Sequence, residues 1–399
     1  MERVISLLGL LVMMLLAWLW SSERSRINKR LIITGVLLQF VVGFVILRTT
    51  PGMWVFEFAR EVADRIVEFS DRGAEFVFGE GFKEHLFAFS VLPIIIFMSS
   101  LMAVLYHLGV IQKVIEGMAW LMVRVMDVSG TESLAAAANV FFGQAESPLA
   151  VKPYLSTMTR SELMALMTGG MATIAGSVMG AYVVMGVDAG HLLSASLMSA
   201  PASLVIAKIM LPEMEDSLTK GAVRVSVPRS DANILDAACR GAGEGLHLAL
   251  NVGAMLIAFI ALVAMLNWAI GLLPAVQGDP LSMERVLGWL CAPFAWLMGV
   301  AWQDAPEVGR LLGQRTVLNE FVAYLDLVRL REAITPRSFT IATYALCGFA
   351  NFASIAIQIG GLGALVPERR ADFARLGFRS MVAGTLAAYM TACIAGVLL

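Results

Sequence analysis

Residues 130–157 read GTESLAAAANVFFGQAESPLAVKPYLST. Two arms of small and apolar residues flank a polar tip, Gln144-Ala145-Glu146-Ser147-Pro148. Each arm is too short to cross a bilayer, whose hydrocarbon core of roughly 30 Å takes about 20 residues of helix. A helical hairpin that dips into the membrane and returns fits the pattern. Irregular backbone at that depth survives only inside protein or beside a water-filled cavity. A carboxylate there, Glu146, marks a functional site. The plainer alternative is an ordinary loop with a solvated Glu146.

The surrounding composition favours the membrane. Of 399 residues, 58% are hydrophobic and only 15% charged, against about 25% charged in a soluble domain. The net charge of -2 offers no basic surface for nucleic acid. Cys239, Cys291, Cys347 and Cys393 are far apart, with no CxxC pair, so neither a zinc site nor a disulfide framework is indicated.

Runs free of Asp, Glu, Lys and Arg mark eight candidate spans: 4–22, 31–47, 85–112, 163–187, 189–207, 245–278, 338–367 and 380–399. A ninth run, 286–303, is short and interrupted by Pro293 and Gly299, and is not counted. The first run is too long for a signal peptide and is followed by SSERSRINKR rather than a cleavage site. Arg24, Arg26, Lys29 and Arg30 in that linker place it in the cytoplasm by the positive-inside rule. Both termini are then periplasmic. Residues 54–78 put Val55, Phe58, Val62, Ile66 and Phe69 on one helical face and charges on the other, the pattern of a helix lying in the interface. Segments 110–128 and 231–244 are candidates for shorter helices of the same kind.

A second polar segment, 281–327, includes the run 286–303 and carries Asn319 and Glu320 ahead of an apolar stretch. It gains weight from an internal repeat. GMATIAG at 170–176 and GFANFAS at 348–354 each follow an Arg-Ser pair, Arg160-Ser161 and Arg337-Ser338, and each follows a candidate hairpin. Hairpin, span, span thus occurs twice, entering from opposite sides. That is the mark of an inverted repeat, as in secondary transporters. Gly169, Gly170, Gly176, Gly348, Gly360 and Gly361 would weaken or interrupt the repeated spans. Thr173 and Asn351 share a repeat position and offer oxygen ligands suited to a hard cation.

Four stretches resemble the concentrative nucleoside transporters: GQAESPLAVKPYL, TIAGSVMGAYV, TVLNEFVAY and CGFANFASIAIQIGG. The resemblance covers essentially the whole chain. It implies an all-α integral membrane protein with eight transmembrane helices, two re-entrant hairpins and interfacial helices. It further implies a homotrimer in the bacterial inner membrane, in which each protomer moves a transport domain like an elevator against a scaffold. On this basis residues 1–128 hold scaffold and interfacial helices, and 129–211 the first repeat. Residues 212–278 hold an interfacial helix and a scaffold span, and 279–399 the second repeat.

The resemblance also implies roles. Gln144 and Glu146 would hydrogen-bond the nucleobase, with Val178 packed against it. Glu320, Asn351 and Ser354 would bind the ribose hydroxyls of a nucleoside such as uridine, and Phe349 would line the sugar pocket. Ala145 stands where relatives usually carry Ser or Thr, which removes a hydroxyl beside the base. A sodium ion would be held by the side chains of Asn139 and Thr173 and the carbonyls of Phe142 and Ile174. The implied function is a sodium-driven nucleoside symporter and not an enzyme. The alternatives are proton coupling, or a membrane-embedded enzyme using Glu146 and Glu320 as an acid–base pair, although no nucleophile or histidine accompanies them. His85, His107, His191 and His247 lie outside the motifs and are expected to be structural.

Overall fold

The computed structural model describes residues 1–85, 87–219, 231–274 and 280–399. Six helices precede the tip of the first hairpin: α1 Glu2–Leu19, α2 Lys29–Arg48, α3 Thr50–Phe78, α4 Leu92–His107, α5 Val110–Met126 and α6 Gly130–Asn139. A 3-10 run, Ser147–Tyr154, returns from that tip. Then follow α7 Arg160–Ala172, α8 Gly176–Val184, α9 Ala189–Met210 and α10 Ile234–Ile270. The last group is α11 Met283–Leu297, α12 Ala305–Val317, α13 Glu320–Arg329, α14 Pro336–Leu346, α15 Phe352–Leu365 and α16 Arg370–Leu398.

Among the described residues, seven helical stretches are long and apolar enough to cross a membrane. The eighth candidate, 338–367, is divided between α14 and α15. α3 is the expected amphipathic helix. Glu68 joins Arg65 and Arg72 at 3.0 and 2.9 Å on its exposed face, while Phe58 and Phe69 lie exposed on the apolar face.

The repeat is visible in the elements. α6 and the 3-10 run form the first hairpin, α7 and α8 a broken helix, and α9 a long one. α12 and α13, α14 and α15, and α16 repeat that order, and α5 and α11 precede the two hairpins. Local sequence sets the starts. Ser129 and Thr159 make capping boxes with Glu132 and Glu162 at the heads of α6 and α7, and Thr335 caps α14 through the Ser338 amide. Each satisfies amides that have no partner within the helix.

Four expectations are corrected. Residues 231–244 are not a separate interfacial helix, because α10 runs unbroken from Ile234. Its early charges neutralise one another: Arg240 donates to Asp231 at 2.6 and 2.9 Å and to Glu244 at 2.8 Å. The run 286–303 is not an arm of the second hairpin. It forms most of α11, which packs along α12. Gly169 and Gly170, like Gly360 and Gly361, do not interrupt a span, since α7 and α15 pass straight through them. Thr173 and Asn351 share a sequence register but not a structural one. Thr173 ends α7, whereas Asn351 begins α15, because the second break spans 347–351 and the first only 173–175.

Packing divides the helices into two sets. α7, α9, α14 and α15 pack on α16, and α1 and α2 pack on α16 and α9. Gln39 Nε2 on α2 donates to the Met198 carbonyl at 2.9 Å. α4 instead pairs with α10 and meets α8 across a boundary between the sets. α10 keeps Leu250, Ile257, Met265 and Trp268 exposed.

Contact between α1 and α11 depends on a glycine. A Cβ on Gly9 would lie 2.0 Å from the Leu297 carbonyl oxygen, whereas one on Gly360 would meet nothing within 4 Å. Gly9→Ala should therefore destabilise the protein by about 1–3 kcal/mol through overpacking. Gly360→Ala should stabilise α15 by up to about 1 kcal/mol through helix propensity. Thermal unfolding of the two purified variants in detergent checks the opposite signs.

Candidate substrate site

A continuous chain of polar contacts runs between the two hairpins. Glu320 opens α13, where Asn319 caps the helix by accepting from the Val322 amide at 3.0 Å. The Glu320 carboxylate is buried, at 6% exposure. Its Oε1 accepts from the Tyr182 hydroxyl of α8 at 3.0 Å, and its Oε2 accepts from Asn351 Nδ2 at 3.1 Å. Asn351 in turn caps α15, its Oδ1 accepting from the Ser354 amide at 2.9 Å. Ser354 Oγ accepts from Gln144 Nε2 at 2.8 Å, which reaches the tip of the first hairpin.

The surrounding charge is arranged for an anion. α13 and α15 both begin at this cluster, and helix N-termini carry partial positive charge. Tyr182 and Asn351 supply two neutral donors. Among the described residues no cation is in hydrogen-bond contact with Glu320, although the Arg315 charge acts on it from further off, and its oxygens keep capacity for further donors. Gln144 Oε1 is buried with no partner among the described residues.

The structure therefore brings Gln144, Glu320, Asn351 and Ser354 together. Phe349 joins them from the second break, its ring 4.0 Å from where a Gly143 side chain would begin. Gly348 lets that break lie against the first, since a Cβ there would be 2.8 Å from the Met171 carbonyl oxygen. Glu146 is not in this chain. It lines an adjoining cavity of about 280 Å³ with Tyr106 and Phe142, Ser177 of α8, and Arg240 and Glu244 of α10. Ala145 is exposed beside it, and Val178 is buried in the first turn of α8.

The four residues expected around a cation lie where the first hairpin meets the first break. The Phe141 carbonyl accepts from the Gly176 amide at 2.9 Å, joining hairpin tip to α8. Ser147 Oγ donates to Asn139 Oδ1 at 2.6 Å, and Thr173 Oγ1 donates to the Gly169 carbonyl at 2.9 Å. Asn139 Nδ2 is buried with no partner among the described residues. Among the described residues nothing donates to the carbonyls of Phe142 and Ile174.

Three contributors were missed from sequence: Tyr182, Ser147 and Gln358, whose Nε2 donates to the Met167 carbonyl at 3.0 Å. Tyr182 and Gln358 are polar residues in apolar stretches, which is the signal that would have found them, and Ser147 stands in the polar tip itself. Of the histidines, His191 packs on Phe56 and Tyr344, and the side chain of His85 lies outside those described.

Paired hairpins and paired broken helices around a buried polar cluster are the architecture found in secondary transporters. Residues 191–396 match the family model described as Na+ dependent nucleoside transporter C-terminus, 8–81 its N-terminal counterpart, and 88–188 a nucleoside recognition model. The chain is 43% identical over 395 residues to the transporter YutK of Bacillus subtilis, covering 98% of each. It is 44% identical over its whole length to Solute carrier family 28 member 3 of Mus musculus, and spans 59% of that relative. The fold matches CNTnw in an inward-facing substrate-bound state with a TM-score of 0.93, 41% identity and coverage of 100% and 98%. The chain belongs to the Na+ dependent nucleoside transporter family.

Asn351 and Asn319 both cap helices, but only Asn351 also serves Glu320. A lost cap costs about 1 kcal/mol, and an unpaired buried carboxylate oxygen adds about 1–3 kcal/mol. Asn351→Ala should lower thermal stability more than Asn319→Ala, as melting curves of the two variants will report.

Proposed function

We propose that the protein is a secondary active symporter that imports nucleosides, uridine among them, driven by a sodium gradient. The observation that carries the reading is the buried Glu320 carboxylate, held by Tyr182 and Asn351 beside Gln144 and Ser354. Vicinal ribose hydroxyls donate well to a carboxylate, and a sugar lacking one would leave a buried acceptor unpaired at a cost of about 1–3 kcal/mol. Glu146 meets the nucleobase from the neighbouring cavity, Val178 packs against the base from the first turn of α8, and Phe349 covers the sugar. Ala145 offers the base no hydroxyl.

Sodium is the coupling ion in this reading, bound by Asn139, Phe142, Thr173 and Ile174. The unpartnered Asn139 amide end is the feature that fits. A half-turn of that amide presents its oxygen to a cation, and the Ser147 hydroxyl accepts the NH2 group instead. Two free carbonyls and the Thr173 hydroxyl supply the remaining oxygens. α7 also ends there, and the negative end of its dipole favours a cation.

Transport proceeds by an elevator movement in a homotrimer. The two packing sets support a refined division, with α1 and α2 travelling with the repeats and α4 and α10 static. The exposed apolar face of α10 suits a bilayer or a second copy of the chain. The basic linker after α1 supports a bacterial inner membrane topology with both termini periplasmic.

Glu320→Gln should weaken uridine binding about tenfold or more in calorimetric titration of the intact trimer. Wild-type affinity would remove the ribose role. Asn139→Ala should raise the sodium concentration for half-maximal uptake into proteoliposomes. An unchanged sodium dependence, with uptake that follows a proton gradient, would favour proton coupling.

A further inference from the structure

α1 and α9 end side by side, with the Ser22 amide donating to the Met210 carbonyl at 2.9 Å. Arginines gather at that end. Arg379 Nη2, from α16, donates to the carbonyls of Trp20 and Met210 at 3.0 and 3.2 Å. Arg24 Nη2 donates to the neighbouring Leu19 carbonyl at 2.9 Å. The charge that acts on Arg379 is another cation, Arg160 at the head of α7. Arg375 lies one turn before Arg379 on α16. Among the described residues none of these four makes an ion pair, whereas Arg60, Arg240, Arg310 and Arg369 do.

The cluster is short of negative charge. The acids nearest in the chain are engaged elsewhere: Glu23 accepts from Ser25, Glu162 from Thr159 and Ser217, and Asp372 from Arg369. The ends of α1 and α9 carry about half a negative charge each, which leaves four guanidiniums in excess. Arg379 Nε is buried with no partner among the described residues. Arg160 also opposes its own helix, because the first turn disfavours a cation. The Arg-Ser pair recurs one place further into α14, and there Arg337 meets an acid, Glu2, at 3.1 Å.

An apolar wall stands beside the arginines. Trp20 meets Phe378 edge-on with ring centres 6.1 Å apart, and Phe378 stacks on Phe352 at 6.5 Å. All three side chains are exposed. Trp20 closes a helix long enough to span, which puts it at the level of the lipid headgroups. Guanidinium forks match phosphate oxygens, and anionic headgroups bind in basic pockets between spanning helices.

We infer that Arg24, Arg160, Arg375 and Arg379 hold the headgroup phosphate of an anionic phospholipid, whose acyl chain lies along Trp20, Phe378 and Phe352. Such a site depends on neither nucleoside nor sodium.

Thermal unfolding of the purified protein in neutral detergent would be followed against added phosphatidylglycerol, phosphatidylcholine or inorganic phosphate. Phosphatidylglycerol should raise the melting temperature and saturate, and the other two should leave it unchanged. Arg160→Gln/Arg375→Gln removes two exposed cations. The half-saturating concentration of phosphatidylglycerol should rise about fivefold for each arginine removed. Lys113→Gln/Arg124→Gln takes the same charge from α5 and should keep the wild-type titration. An equal loss in both double variants shows general surface attraction and overturns the site. So does an Arg160→Gln/Arg375→Gln protein with the wild-type titration. Equal stabilisation by phosphatidylcholine overturns recognition of charge, and equal stabilisation by phosphate alone overturns the lipid. Arg379→Gln should weaken the lipid effect further. If it does not fold, having uncapped two helices, the exposed pair decides.

Discussion

Two helices stop and restart where no water is available to the amides and carbonyls they release, and the rest of the structure follows from how those groups are satisfied. At the first break the Gly176 amide goes to the Phe141 carbonyl, and the Gly169 carbonyl is served by Thr173. At the second, the Ala345 carbonyl is served by Arg315 and the Thr343 carbonyl by Tyr324. Three of these four partners, Phe141, Arg315 and Tyr324, come from the hairpins. The breaks therefore depend on the hairpins, which also carry Gln144 and Glu320 into the polar cluster.

The substrate site is a by-product of the same arrangement. A helix that begins inside the protein needs a cap, and Asn319 and Asn351 provide two. Both caps lie beside Glu320, so the positive ends of two helices and the spare donor of one cap converge on a single carboxylate. The group that closes a helix is also the group that orients an acidic side chain. Stability and recognition are therefore coupled at Asn351 and separate at Asn319.

Much of this is legible in the sequence because membranes punish polarity. Glu146, Gln144, Asn351 and Glu320 stand out only because hydropathy would not place them where they are. The same logic overreached at Gly360 and Gly361. Glycine weakens a helix by an amount that packing readily outweighs, and the actual interruption lies a dozen residues earlier. It also separated 231–244 from the span that follows, because charges were counted singly and the pairing of Arg240 with Asp231 and Glu244 was not visible.

The amino-acid sequence alone determined the solvent, the order of elements, the repeat and the polar residues that break the apolar pattern. These are properties of a residue and its near neighbours along the chain. Only the tertiary structure decided which of those residues meet. Gln144 and Glu146, two positions apart, part company, one reaching Ser354 and the other facing Arg240 and Glu244 across a cavity. Arg315 and the last turn of α14, thirty residues apart, come into contact. The reason is physical: a polar group buried in apolar surroundings must find its partner in space, and periodicity along the chain carries no record of which partner lies within hydrogen-bond reach.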